Sequence, residues 1–300
     1  MEGPHFMPET SFRSVYSQQG RYDELLLPHI FGAATDVDLV AARMKEHYGE
    51  PGQRTLAVCD LGCGTGRVTA ALEPYAASLV GVDSSEAMIR AFTEEFPNAR
   101  TVCADLPAGI AELESDTFDV IGAFWSLSYP IMAYFERLDA EGITENLNEA
   151  RAMIAARELV NQILRLLKPG GRLIVQFFDS DSPEQQVVSR LWERLAPPPG
   201  GSRSFSRLLL LDTLTRAARR GLGRVRIDHF EGAALAKDAN AARSWFLHVH
   251  AKTHEAILND PRTRADVETF ITAHERNDGT VHLPAGVYLI EFTAAEADHV

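Results

Sequence analysis

The sequence predicts an α/β protein built on a mostly parallel sheet with helices over both faces. Three observations carry this expectation. Short runs rich in Val, Ile and Phe recur from residue 55 onward, helical apolar spacing fills the intervals, and the first run ends in a turn with alternating Gly62, Gly64 and Gly66. Strands that alternate with helices are joined by right-handed crossovers, so they lie parallel and both sheet faces are covered.

Ahead of the first strand, residues 23–31 and 36–48 read as helices, the second with Val37, Val40, Ala41 and Met44 on one face. Strands are expected at 55–60, 78–83, 100–104, 118–125 and 172–179, and helices at 66–76, 85–96, 108–113 and 149–167. Two blocks exceed a minimal sheet. Residues 130–148 carry Ile131, Met132, Tyr134, Phe135 and Leu138, which suggest an additional helix near the strand ends. Residues 238–276 form a polar, helix-patterned block between a strand at 224–230 and a last one at 280–292. The run Pro197-Pro198-Pro199-Gly200-Gly201 reads as a loop and not a domain linker, because sheet-forming sequence continues beyond it.

Composition bounds the class. The 300 residues are 45% hydrophobic and 24% charged, which describes a soluble globular chain with ample core. No apolar run approaches the roughly 20 residues of a membrane span, and the N-terminus has no basic stretch followed by an apolar one. Cys59, Cys63 and Cys103 lie in or beside expected strands and are not spaced for zinc, so a reduced, cytoplasmic protein is expected. The formal net charge of −13 disfavours nucleic acid as a partner. The one basic stretch (Arg207, Arg216, Arg219, Arg220, Arg224, Arg226) reads as a solvated helix face.

The chemistry concentrates at strand ends. Glycines at 62, 64 and 66 let the chain turn sharply and present backbone amides to a ligand, with a helix N-terminus following. Asp83 closes the apolar run Leu79-Val80-Gly81-Val82, where a carboxylate can accept from both hydroxyls of a ribose. Asp105, after Cys103-Ala104, can reach the exocyclic amine of an adenine. The glycines alternate and do not follow the Gly-x-Gly-x-x-Gly spacing of a nicotinamide dinucleotide site. Cys63 reads as a small filler of the loop and not as a reactive thiol.

Four elements in order are Asp60-Leu-Gly-Cys-Gly-Thr-Gly66, Val82-Asp83, Ala104-Asp105-Leu106 and Leu167-Lys-Pro-Gly-Gly171. With these the chain resembles the class I S-adenosylmethionine-dependent methyltransferases over residues 52–235 and 279–292. The resemblance implies a Rossmann-like, seven-stranded sheet with its last strand, Val287–Phe292, antiparallel, plus helical lid elements. It implies three parts: a lid at 1–50, a cofactor-binding core at 51–235 with 279–300, and a helical insertion at 236–278 over the acceptor pocket. S-adenosylmethionine is the implied cofactor. Its implied contacts are Asp60, Gly62, Cys63, Gly64, Thr65, Gly66, Asp83, Ser84, Met88, Asp105, Leu106 and Phe124, with Asp60 facing the methionine part. The segment Tyr16–Asp23 is similar to the lid of small-molecule members, which makes Tyr22 a candidate at the acceptor.

Methyl transfer needs alignment and exclusion of water more than a protein nucleophile, and a base matters only when the acceptor arrives protonated. Trp125, Ser126 and Tyr129, just after the fourth core strand, are expected to line the acceptor gap. The Asn/Asp-Pro-Pro-Tyr tetrapeptide of adenine- and glutamine-directed N-methyltransferases is replaced by Phe124-Trp125-Ser126-Leu127. His248, His250 and His254 are expected on one helix, with His250 and His254 sharing a face and His250 the candidate base. His229 and His282 are weaker candidates, and no metal is expected. The expected activity is methylation of a small organic acceptor at N, O or C in a biosynthetic setting, without a membrane partner. Three alternatives stay open: a non-methylating reaction such as cyclisation, a protein or RNA methyltransferase, and a binding protein that kept only the fold. The acceptor, its reacting atom and the oligomeric state, monomer or homodimer, are open as well.

Overall fold

A computed structural model describes residues 25–139, 142–145, 148–195, 203–252 and 254–296, with the backbone alone at 137–139 and 142–145. Among the described residues, eleven strands and ten α-helices follow in chain order. They begin with β1 (His29–Phe31), β2 (Ala34–Thr35), α1 (Asp36–Tyr48), β3 (Leu56–Leu61), β4 (Ala76–Asp83), α2 (Glu86–Glu95), β5 (Arg100–Cys103), α3 (Leu106–Ala111) and β6 (Phe118–Phe124). Next come α4 (Ser128–Met132), the hairpin β7 (Glu136–Asp139) and β8 (Gly142–Glu145), α5 (Glu149–Arg165), β9 (Leu167–Phe178), α6 (Pro183–Trp192) and α7 (Phe205–Arg219). The chain closes with β10 (Gly223–Ala236), α8 (Ala239–Ser244), a π-helical turn (Trp245–His250), α9 (Glu255–Leu258), α10 (Pro261–His274) and β11 (Val281–Ala294).

The main sheet has nine strands in the order β2-β1-β10-β11-β9-β6-β3-β4-β5. β3, β4, β5, β6 and β9 pair in parallel, and β11 enters antiparallel between β9 and β10. Seven long strands therefore form the expected sheet, and β1 and β2 add two short ones at its edge. Apolar side chains fill both faces. One core runs from Val82 and Ile121 to Leu159 and Ile163 of α5, and the other joins Val40 and Met44 of α1 to Phe92, Phe96 and Ile174. A third core ties the insertion to α6 and the β10–β11 tips through Val188, Leu191, Trp245, Phe246, Ile271 and Leu283.

Three expectations are corrected. The helix expected at 23–31 does not run to its expected end: His29–Phe31 is a strand on β10, where a Cβ at Gly232 would sit 2.2 Å from the Ile30 carbonyl oxygen, so only glycine admits this pairing. In place of a helix at 66–76 there are two 3₁₀ turns, Thr69–Ala71 and Glu73–Tyr75. Pro74 supplies no amide hydrogen, and the Thr69 hydroxyl is taken by Asp60 at 2.5 Å. Among the described residues of 130–148 the structure has the end of the short α4 and then the hairpin, which stands apart from the main sheet.

Behind the sheet tips, Arg43 of α1 is 4% exposed and bridges Glu291 of β11 at 2.8 Å and Asp228 of β10 at 2.5 Å. His47 and Arg172 complete the shell around Glu291 at 2.9 and 2.7 Å. Burial would raise the Glu291 carboxyl, yet the Arg43 and His47 contacts outweigh it and hold the group at about 2. This network locks α1 over the antiparallel strand and so fixes the strand tips that α1 overhangs.

The glycine turn yields a stability prediction. Gly66 has φ +89° and a Cβ there would lie 2.4 Å from the Phe96 ring, whereas Gly64 has φ +54° with open space around it. Gly66→Ala is expected to destabilise the fold by about 3 kcal/mol and Gly64→Ala by only about 1 kcal/mol, read by urea denaturation.

Candidate active site

The glycine turn uses its own amides. Gly62 and Cys63 both donate to the Val82 carbonyl oxygen, at 2.7 and 3.0 Å, and Gly66 donates to Cys63 O at 2.9 Å. Gly64 donates to Asp83 Oδ2 at 3.0 Å. The expectation that these glycine amides face a ligand is therefore corrected. Their value is close approach: a Cβ at Gly62 would meet Ser126 Cβ at 2.4 Å, while Gly64 borders open space. With only 3₁₀ turns after it, the turn also lacks the long helix whose dipole was expected.

Two carboxylates flank this turn at neighbouring strand tips. Asp83, at the end of β4, accepts from Gly64 N on one oxygen and from Ser85 N, 2.9 Å away, on the other. Burial raises its pKa against those backbone hydrogen bonds. Asp60, on β3, is 2% exposed; its Oδ2 accepts from Thr69 and its Oδ1 is buried without a hydrogen-bond partner. Burial pushes Asp60 up to about 7. Asp105 caps α3, accepting from Ala108 N at 2.8 Å, so one of its oxygens serves the helix. Ser84 is exposed between Asp83 and the Ser85 cap of α2, while Met88 is buried on that helix.

Other expected contacts point inward. Leu106 packs among Val82, Val102 and Ile110 in the core, and Phe124 packs with Val120, Leu72 and Ile174 beneath the turn. Cys63 is buried, its Sγ would lie 3.0 Å from a Cβ at Gly81, and burial pushes its thiol well above the ordinary range. It is a filler, and the turn is packed and not reactive there.

The facing wall is assembled from four distant segments. Trp125 leaves β6 in the left-handed region (φ 59°) and its indole N–H donates to Asp36 Oδ2 at 2.9 Å. Arg67 grips the same carboxylate through both ends, at 2.9 and 2.6 Å, and Gln176 of β9 donates to the Asp36 carbonyl oxygen at 2.6 Å. Burial would raise Asp36, yet the Arg67 hydrogen bonds and charge keep it below the usual carboxylate range. His29 stands between Trp125 and Trp245, with ring centroids 5.4 and 5.7 Å away, and burial lowers its pKa. Its Nδ1 bonds the Leu27 carbonyl oxygen at 2.9 Å, so that nitrogen carries the proton.

Beyond Trp245 lies Glu184, 2% exposed in the first turn of α6. It accepts from Trp245 Nε1 at 2.5 Å and bonds His250 Nε2 at 2.9 Å. The π turn makes this possible: its wider winding brings two residues five apart onto one acceptor. The helix stops there, Lys252 takes φ 51°, and His254 begins α9 with its ring against Trp192. The expected His250–His254 face is thus corrected. Tyr129 sits on α4 with the Lys252 ammonium 4.6 Å from its ring centroid, and Tyr22 lies outside the described residues. Among the described residues no three His, Cys, Asp or Glu side chains converge as metal ligands, and no helix is long and apolar enough to cross a membrane.

A family described as a methyltransferase domain matches residues 58–140, the stretch from β3 through the exit of β6. An uncharacterized methyltransferase of Schizosaccharomyces pombe is 30% identical over 131 residues, covering 40% of this chain and 38% of that protein. A trans-aconitate 2-methyltransferase of Azoarcus sp. is 28% identical over 149 residues, covering 49% of this chain and 47% of the relative. The chain spans less than half the length of these curated relatives. The crystal structure of the YcgJ protein of Bacillus subtilis superposes with a TM-score of 0.51 at 18% identity, over 86% of this chain and 99% of that one. The chain carries a class I S-adenosylmethionine-dependent methyltransferase fold.

The residues present suit the cofactor of that methyltransferase fold. A buried carboxylate oxygen without a partner, Asp60 Oδ1, matches a cationic ammonium, and the open side of Gly64 leaves room beside it. Sequence reading missed Asp36, Arg67, His29 and Glu184, each of which gains its partner from another segment. Only Glu184 left a trace, in the polar run Asp179-Ser-Asp-Ser-Pro-Glu184 after an apolar strand.

Asp60 sets a pH dependence. Its carboxyl holds a proton in the fold up to about pH 7, whereas the unfolded chain releases it near 3.8, the ordinary value for an aspartate. The folded form binds more protons between those values, so stability falls as pH rises from about 4 to about 7. Asp60→Asn is expected to flatten that fall, measured as melting temperature against pH for both proteins.

Proposed function

We propose that this chain transfers the methyl group of S-adenosylmethionine to a small organic acceptor held between the glycine turn and the π-helical insertion. The observation that carries this reading is the pairing of Asp60 and Asp83 at neighbouring strand tips, opposite the wall of Trp125, Trp245 and His250. When bound, the cofactor supplies an electrophilic methyl on a sulfonium. Asp83, already fixed by two backbone amides, holds a ribose diol through its remaining lone pairs. Asp60 balances the ammonium, and Asp105 offers its second oxygen to the adenine edge. Trp125, anchored by Asp36, and Trp245, anchored by Glu184, enclose the acceptor and exclude water.

Protonated acceptors need a base, and His250 is placed for that role. Glu184 would rise with burial, but the hydrogen bonds it accepts from His250 and Trp245 hold it at about 2, so it stays anionic. Its bond to His250 Nε2 fixes that nitrogen as the donor and leaves Nδ1 to take the acceptor's proton. The trans-aconitate relative acts on a small organic molecule by its name, which agrees with this reading. The net charge of −13 supports a small-molecule acceptor over nucleic acid. The division into a lid before residue 50, a core, and an insertion at 236–278 is part of the same proposal, with cytoplasmic, biosynthetic work as its setting.

Three measurements check it. Acceptor screening with methyl-labelled cofactor is expected to yield S-adenosylhomocysteine; methylthioadenosine instead would mean cyclisation or group transfer of another kind. Asp83→Ala is expected to weaken cofactor binding 10- to 100-fold by calorimetry, from roughly 1.5–3 kcal/mol of charge-assisted hydrogen bonding. With a protonated acceptor, His250→Gln is expected to lower kcat at least tenfold at unchanged cofactor affinity. Unchanged turnover would assign His250 to packing.

A further inference from the structure

The strand tips hold a second polar cluster that methyl transfer by itself does not employ. Arg203 and Arg207 flank the first turn of α7, whose free amides add a positive field. The Arg203 guanidinium lies 5.6 Å from the Phe178 ring centroid, and its Nε is buried with no hydrogen-bond partner. Arg207 was expected on a solvated face but is 5% exposed. It lies 3.9 Å from the Tyr288 ring centroid and reaches Asp181 at 3.2 Å, yet its Nε has no partner either. Ser180, beside Asp181 in the chain and 6% exposed, likewise leaves its hydroxyl unmatched.

Lys252 closes the cluster from the insertion. Its ammonium sits 4.6 Å from the Tyr129 ring centroid and 5.8 Å from that of Trp192. The Trp192 indole N–H in turn donates to the His250 carbonyl oxygen at 3.0 Å, so the cluster adjoins the candidate base. Burial, with the Arg203 charge adding to it, pushes Lys252 down to about 7. Glu136 offsets part of the Arg203 and Lys252 charge, while the buried Arg203 Nε, Arg207 Nε and Ser180 hydroxyl stay unmatched, a cost in free energy that a bound anion offsets.

We propose that Arg203, Arg207 and Lys252 anchor a carboxylate on the acceptor, a substrate class that deepens the methyl-transfer reading and rests on it. Planar guanidinium forks match a planar carboxylate in two-point contact, and the lysine adds a point charge. Asp179, paired with His229 at 2.8 Å, and Asp181 line the same turn, and with Glu136 beside Arg203 and Lys252 they limit the excess positive charge. A singly charged group suits that balance better than a doubly charged phosphate. The acid therefore enters with its carboxylate toward α7 and its remainder toward Trp125 and His250.

The test uses the full chain loaded with S-adenosylhomocysteine, whose own binding by calorimetry reports on the cofactor reading independently. Succinate, citrate and benzoate are titrated beside their methyl esters and inorganic phosphate. At least one acid is expected to bind, its ester at least tenfold more weakly. Arg203→Gln and Lys252→Gln are each expected to weaken the acid at least tenfold while S-adenosylhomocysteine affinity stays within twofold. Binding by none of the three acids, equal binding of the esters, or tighter binding of phosphate overturns the carboxylate assignment. So does wild-type affinity in both variants. Loss of S-adenosylhomocysteine binding in the wild-type protein would instead overturn the cofactor reading.

Discussion

The buried carboxylate of Asp36 is the contact on which the active-site wall depends. It sits at the first position of α1 and gathers Arg67 from beyond the glycine turn, the Trp125 indole from the exit of β6 and, through its carbonyl, Gln176 from β9. A carboxylate this enclosed persists because each oxygen has a strong donor, and removing any one would leave charge or a polar group stranded. The consequence is geometric more than energetic. Trp125 is held in a left-handed conformation that few bulky residues adopt, and that conformation aims its ring at His29.

From this node the wall extends by alternating rings and acids. His29 sits between two tryptophans, tilted against Trp125 and edge-on to Trp245, Trp245 hangs on Glu184, and Glu184 also holds His250. Two buried acids, each kept ionised by its own hydrogen-bond donors, bracket a run of aromatic rings. The opposite side behaves differently. Asp60 and Asp83 both have raised pKa values because burial outweighs their hydrogen bonds, so that side is left short of positive charge. One wall is electrostatically complete and the other is not, an asymmetry suited to a cationic cofactor on the incomplete side.

The insertion obeys the same logic of completion. Its helices bury Trp245, Phe246 and Ile271 against α6 and the extended tips of β10 and β11, so it rests on a core of its own. The π turn at its centre departs from regular helix geometry only where two side chains must meet Glu184. α7 then brings its arginines to the same rim, and the acidic surface of the chain makes that basic rim stand out.

Much of this was legible in the residues. The alternating glycines, the acid ending β4, the Lys168-Pro-Gly-Gly turn and the order of strands and helices carried the fold, because each reports a local backbone demand or a period that sequence spacing records. The antiparallel β11 and the acids at 60, 83 and 105 fell where expected for the same reason. Local patterning failed where a partner came from afar. Residues 29–31 became a strand because Gly232 opened an edge for them, and the segment after Gly66 wound into 3₁₀ turns around Pro74 and Asp60. The Asp36 node, the Glu184–His250 pair and the buried Arg207 join residues 31 to 140 positions apart, or reach a ring on another strand. Spacing along a chain encodes which face a residue takes, but not which distant charge will meet it. The sequence by itself determined the sheet and the glycine turn; tertiary packing alone decided the aromatic wall, since its charges become partners only once the strands have brought them together.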